Sequence, residues 1–196
     1  MIRKLSFSMT AAAAATFAFL PVFARANGEI IGMVESGSSR VARAVVSLTD
    51  VPGSFSSSRT VTMNQKNKEF SPHVLAILKG TTVEFMNSDP FLHNVFSSSR
   101  VRTFNVSQQQ VGQASSIQFD HPGVVPIKCH IHANMKAYVV VLPNPYFATS
   151  NGNGLFRISN VPAGTYTIKV WTESGASSTQ SVTVSDGGQA KVIFKL

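Results

Sequence analysis

The sequence predicts an all-β protein built as a β-sandwich, and three observations carry that prediction. Apolar residues alternate with polar ones over short runs, as in Ala44, Val46 and Leu48, in Val83 and Phe85, and in Tyr166, Ile168 and Val170. A period of two is the mark of a half-buried strand. These runs are broken by turn-forming clusters such as Lys79-Gly80, Pro122-Gly123 and Asn151-Gly152-Asn153-Gly154, and many short strands between such breaks argue for a sandwich. From Gly28 to His93 no window sustains apolar residues at spacings of three and four, so helix is disfavoured there.

The first 26 residues read as a secretory signal peptide. Arg3 and Lys4 form a basic start, an apolar stretch runs from about Met9 to Val22, and Ala24-Arg25-Ala26 places small residues at both positions a signal peptidase inspects. Cleavage is expected after Ala26; taking 26 residues from 196 leaves 170, beginning at Asn27. An uncleaved anchor is disfavoured because the apolar run is short and Pro21 interrupts it. No cysteine lies near the cut to take a lipid, and Arg3-Lys4 is not a twin-arginine pair, so export of the unfolded chain is the simpler route to a periplasmic protein. No later segment is long and apolar enough to span a bilayer. Loss of Arg3, Lys4 and Arg25 takes the formal charge from +8 to +5. That basic excess either steers acidic protein partners or serves solubility alone. No cluster of Lys and Arg alternates with aromatic residues, so no nucleic acid is expected.

The strands follow in order. Ile30, Ile31, Met33 and Val34 form a β-prone run, the turn-rich Glu35 to Ser39 follows, and Ala44 to Leu48 forms the second run. Asp50-Val51-Pro52-Gly53 and the serines after it read as a loop. Val61 and Met63 begin a strand, Lys66-Asn67-Lys68 is a polar turn before Phe70, and Val74 to Leu78 is apolar throughout. Val83 and Phe85 mark the strand that delivers the chain to Asp89-Pro90 and His93. Thr103 to Gln113 is polar and glutamine-rich, and is expected to be a mobile connection. Ile117 and Phe119 start the strand leading to His121-Pro122-Gly123, which feeds Val124, Val125 and Ile127. After Pro143, Phe156 and Ile158 alternate, and Val161-Pro162-Ala163-Gly164 turns the chain toward Tyr166 and Trp171. Asp186-Gly187-Gly188 then reads as a hairpin turn joining Val182 and Val184 to Val192, Phe194 and Leu196.

One loop concentrates the chemistry. Between the apolar runs ending at Ile127 and starting at Tyr138 lies Cys129-His130-Ile131-His132-Ala133-Asn134-Met135, which holds the only cysteine, two of the five histidines and a methionine. An unpaired cysteine in an exported protein is a dimer link, a reactive thiol or a metal ligand, or simply a small buried hydrophobe. His132 and Met135, each following after a gap of two residues, favour the ligand. Soft sulfur donors select copper, and imidazole suits copper as well. A fourth ligand must come from elsewhere, and His93 is the candidate. Two imidazoles, a thiolate and a weak axial thioether make a blue-copper electron-transfer site, whose ligands a rigid sandwich would bring to one end. His130 neighbours Cys129, points to the opposite face of an extended chain and is read as a non-ligand. His73 and His121 sit in turn-like contexts and are read as structural.

These residues resemble the cupredoxin family. The Cys-x-x-His-x-x-Met loop after a strand, with the earlier His93-Asn94, is similar to amicyanin in its short spacing, and Phe70-Ser71-Pro72-His73-Val74 and Gly80-Thr81-Thr82-Val83-Glu84-Phe85 resemble the wider group of plastocyanin-type and methylamine-utilisation periplasmic proteins. The resemblance is close over roughly Thr60 to Phe147. It implies a Greek-key sandwich, one type 1 copper ion on His93, Cys129, His132 and Met135, an asparagine at 94 that ties the two ligand loops together, and His132 as the exposed ligand and electron port. Ala133 departs from the pattern, because short-loop members often carry proline there. Gly154 to Tyr166 and Val41 to Leu48 resemble carboxypeptidase-regulatory-like, Ig-like β-sandwich domains. The expected organisation is therefore a signal peptide over 1–26, a cupredoxin domain over 57–146, and a second small sandwich from the chain ends, 27–56 and 147–196. The alternative is one enlarged sandwich with extra strands.

The function this implies is a periplasmic one-electron carrier, not an enzyme, with a redox partner such as a c-type cytochrome, a peroxidase or a dehydrogenase. The alternative is a copper carrier or storage protein, since the ligands alone do not separate holding copper from passing electrons. A cysteine nucleophile would need an orienting acid and an oxyanion hole that the sequence does not supply, and it would leave Met135 unexplained.

Overall fold

The structure, a computed structural model, describes residues 26–196; the signal-peptide reading over 1–26 lies outside that range except for Ala26. The described residues form strands and no helix. From the N-terminal end come β1 (Gly28–Ser36), β2 (Ser39–Arg40) and β3 (Val45–Leu48). The middle supplies β4 (Thr60–Lys66), β5 (Glu69–Ser71), β6 (Val74–Leu78), β7 (Thr81–Asn87), β8 (Phe96–Ser98), β9 (Thr103–Asn105), β10 (Ala114–Phe119), β11 (Gly123–Lys128) and β12 (Lys136–Leu142). The chain closes with β13 (Phe147–Thr149), β14 (Leu155–Val161), β15 (Gly164–Trp171), β16 (Ser177–Val184) and β17 (Gln189–Lys195).

Four sheets result, and their order is a stack of layers. The sheet β14-β1-β17, with β2 on β1, faces the sheet β13-β3-β15-β16 across a core that includes Ile30, Val46, Leu48, Phe156, Ile168, Val182 and Phe194. The sheet β10-β7-β4-β5 faces β6-β12-β11-β8-β9 across a second core that includes Met63, Val83, Phe85, Phe119, Ile127 and Val139. A third, smaller cluster of Val45, Val74, Val140 and Leu142, with Tyr138 and Trp171 against it, joins the inner sheet of one sandwich to that of the other. Tyr138 and Trp171 meet edge to face with ring centroids 5.4 Å apart.

This layering explains two sequence patterns. The run from Tyr138 to Leu142 does not alternate because both faces of β12 are covered: Val139 and Val141 belong to the second core, and Val140 and Leu142 to the joint between sandwiches. All four residues of β3 are buried for the same reason, with Val46 and Leu48 on one side and Val45 on the other. Strands covered on both faces read as continuous apolar runs, and each such side chain contributes roughly 1.5–3 kcal/mol by burial.

Two expectations are corrected. Asp186-Gly187-Gly188 is not a hairpin turn. β16 pairs with β15, whereas β17 crosses to the opposite sheet and runs parallel to β1. Val182 and Val184 therefore meet Val192 and Phe194 across the core, which two strands paired in one sheet could not do. The connection from Thr103 to Gln113 is likewise held in place. It contains β9, paired to β8, and Gln109 is buried, exchanging backbone hydrogen bonds with His93 in both directions at 3.2 and 2.7 Å.

Candidate metal centre

The second sandwich ends in two loops that carry the polar groups of interest. β7 delivers the chain to Asn87, and the segment to Val95 follows. β11 delivers Cys129, and the loop to Met135 returns into β12, with Lys128 opposite Lys136 at its base. Short backbone hydrogen bonds close that loop: Cys129 N–H to Met135 O at 3.3 Å, and Met135 N–H to His132 O at 2.9 Å. Cys129 and Met135 both sit in the second hydrophobic core, and Val95 anchors the other loop in the same cluster.

Asn94 ties the loops together. Its Oδ1 accepts the His130 N–H at 2.8 Å and lies 3.5 Å from Cys129 Sγ, while its Nδ2 donates to Asn105 Oδ1 at 3.3 Å. His130 then turns outward and stacks on Phe96, the ring centroids 3.6 Å apart and the planes 4° from parallel. His73 lies at the joint between sandwiches, where it bonds Glu173 at 2.6 Å.

His93, Cys129 and His132 converge: one ligand atom from each lies within 4.8 Å of the others. The two Nδ1 atoms of His93 and His132 are 3.1 Å apart. His93 is wholly buried, Cys129 nearly so, and His132 partly exposed. Met135 is buried in the same cluster as Cys129 and one backbone hydrogen bond away from it. Burial, then the nearby charges of His93 and Lys68, holds the His132 imidazole below its ordinary value. That direction favours the uncharged ring, the form of an imidazole that can ligate a metal. A cysteine sulfur, two imidazoles facing one another and a thioether in the same loop form a donor set that suits copper.

Sequence reasoning missed the support beneath His93. Its Nε2 lies 2.8 Å from Oδ2 of Asp89, itself buried. Asp89 also accepts the N–H groups of Asn67 at 2.7 Å and Lys68 at 2.8 Å. These two residues form the turn between β4 and β5 and both have positive φ, at 56° and 57°. Burial works against ionisation of Asp89 and is the largest single influence, but the hydrogen bonds from Lys68, His93 and Asn67, with the charge interaction with His93, together outweigh it and hold the carboxyl below the ordinary carboxylate range. Behind it, Asn87 Nδ2 donates to Phe91 O and Gln109 O, each at 2.8 Å, and Gln109 bridges Gln65 and Phe85 O at 2.8 and 3.0 Å. The Asp89-Pro90 turn was visible in the sequence; nothing in it marked Gln65 or Gln109.

Comparison with known proteins agrees with this chemistry. Residues 58–142 match the family of copper binding proteins, plastocyanin/azurin family, and residues 134–196 match the carboxypeptidase regulatory-like domain. The two ranges overlap over β12, which the structure places in the copper-family sandwich, while β1 and β3, outside both ranges, complete the other. No curated protein matches. Among solved structures, a Cu-containing nitrite reductase from Thermus scotoductus is 30% identical over 43% of this chain and 22% of its own, with TM-score 0.41. This chain thus spans about a fifth of that enzyme. An oxidized amicyanin mutant is 22% identical over 42% of this chain and 81% of its own, with TM-score 0.40. A purple cupredoxin from Nitrosopumilus maritimus is 25% identical over 41% and 98%, with TM-score 0.38. The two family matches, set on the two pairs of facing sheets, give a cupredoxin β-sandwich joined to a carboxypeptidase-regulatory-like one, and the matched family binds copper.

Proposed function

We propose that this chain is an exported type 1 copper protein that passes single electrons between redox partners, with one copper ion held by His93, Cys129, His132 and Met135. The observation that carries this reading is the convergence of His93, Cys129 and His132 on one point at the end of a closed sandwich. Bound copper would supply the Cu(I)/Cu(II) couple. The chain's part is to hold the donors still. Cys129 and Met135 are fixed by the core, Asn94 locks one loop to the other, and His93 is backed by Asp89. His93 and Cys129 are buried and only the His132 imidazole is partly exposed, an arrangement that suits electron passage through that ring.

The surface around that imidazole supports a docking role. Phe91, Leu92, Val111 and Ile131 are four of the six exposed large apolar side chains among the described residues, and all lie on or beside the ligand loops. Lys68 sits 4.8 Å over the Phe91 ring, and Lys128 and Lys136 flank the loop base. An apolar patch edged by cations suits a brief encounter with an acidic redox protein, and such encounters use small interfaces. A c-type cytochrome or a dehydrogenase fits that description. The basic start, apolar run and Ala24-Arg25-Ala26 support export, and the reading places the protein in the periplasm. We assign residues 57–146 to the copper domain and 27–56 with 147–196 to the second sandwich, a division supported by two separate cores.

The test is the absorption spectrum of purified protein on adding Cu(II), followed by voltammetry. An intense thiolate charge-transfer band and a reversible wave are expected. A colourless complex would sink the type 1 site; metal transfer to an apo-acceptor without redox cycling would favour the copper carrier.

A further inference from the structure

We infer that Asp89 is a positioning residue for the metal centre: its carboxylate accepts the Nε2–H of His93, so the imidazole presents an unprotonated Nδ1 toward Cys129 and His132. The inference rests on the copper reading above.

A neutral imidazole carries one N–H, and the hydrogen bond made by one nitrogen decides which. Here Nε2 lies 2.8 Å from Asp89 Oδ2, and Nδ1 lies 3.1 Å from His132 Nδ1. With the proton at Nε2, Nδ1 offers its lone pair to the point where the other donors meet. Asp89 is well fixed for this task. Its two oxygens take the Asn67 and Lys68 N–H groups, and its own N–H donates to Asn87 Oδ1 at 2.8 Å. It has no Lys or Arg within ion-pair distance among the described residues; His93 is its only ionisable partner. A buried carboxylate without a cation is costly, and the hydrogen bonds from Asn67, Lys68 and His93 offset that cost. Carboxylates behind metal-bound imidazoles fix the ring and strengthen it as a donor, and their loss weakens metal binding 10–100-fold as a rough range. The buried negative charge also favours Cu(II) over Cu(I).

Asp89 additionally holds the Asn67-Lys68 turn, so the test must separate bracing from positioning. The first measurement needs no variant: long-range proton–nitrogen NMR of the metal-free wild-type protein at neutral pH, where His93 is expected as the Nε2–H tautomer. Nδ1–H at His93 would overturn the inference. The second compares Asp89→Asn with wild type. Cu(II) affinity is expected to fall roughly 10–100-fold, and the potential to rise by about 59 mV for each tenfold loss of Cu(II) over Cu(I) binding. A folded Asp89→Asn protein with wild-type affinity and potential would overturn it too. Wild-type protein that binds no Cu(II) would remove the copper reading and this inference with it, whereas normal loading beside an Nδ1–H His93 removes this inference alone.

Discussion

His93 and His132 face one another through Nδ1 atoms 3.1 Å apart, at the end of a sandwich that buries the first wholly and the second in part. Two lone pairs at that distance repel unless a proton or a metal ion lies between them. A cation that binds the folded centre and not the unfolded chain stabilises the fold by mass action, about 4.1 kcal/mol when its free concentration is 1,000 times Kd. Thermal melts with and without Cu(II) should therefore differ by several degrees or more. Equal melting temperatures would count against a preformed centre.

Cys129 is the only cysteine, and its sulfur sits in the core rather than at the surface. Cys129→Ser removes the thiolate while nearly keeping its size. The intense charge-transfer colour of the copper-loaded protein should vanish in the variant. Colour that persists would exclude Cys129 as the ligand.

Met135 lies in the same loop and the same core, and in the proposed site it is the weak axial donor that tunes more than it binds. Met135→Leu conserves volume and costs less than about 1.5 kcal/mol by packing. The variant should keep copper and shift the potential upward, because a donor to Cu(II) is lost. An unchanged potential in voltammetry would remove Met135 from the axial position.

The convergence of His93, Cys129 and His132 was legible because their chemistry is rare and local: a thiol, imidazole and thioether at two-residue gaps leave few alternatives. The strands were legible where one face meets solvent. β12 and β3 could not reveal their partners, because strands covered on both faces lose the alternation that says which side is which. The Asp186-Gly187-Gly188 turn misled because a tight turn between two apolar runs is the same in sequence whether the strands pair or face one another across a core. Gln109 was hidden for another reason. A glutamine in a polar stretch looks solvated, and only the fold shows that its amide is enclosed by Gln65, Phe85 O and Ser115.

Gln109 therefore makes a direct test of that enclosure. Gln109→Ala leaves Gln65 Nε2 without its partner and takes one hydrogen bond from Phe85 O behind the His93 loop. Each orphaned buried polar group costs about 1–3 kcal/mol. Chemical denaturation should show a loss of that order, and hydrogen exchange at His93 N–H should quicken as the loop loosens. A surface glutamine would show neither effect.

The two sandwiches are joined near the centre by Glu173, which accepts from Lys136 at 2.9 Å and from His73 at 2.6 Å. Lys136 follows Met135 directly, so this cluster sits at the root of the ligand loop. The hydrogen bond from Lys136 is the largest influence on Glu173; burial opposes it, and His73 adds to it, leaving the carboxyl below its ordinary 4.5. A carboxyl lowered by folding stabilises the fold in full above 4.5, and that contribution fades as pH falls through the lower folded-state value. Glu173→Gln should thus melt below wild type near neutral pH, and the gap should close as the medium is acidified past that range. Because Lys136 is more than half exposed, the gap is expected to be small and to shrink with added salt. A gap that stays constant from neutral to strongly acidic pH would show that Glu173 acts by packing instead of charge.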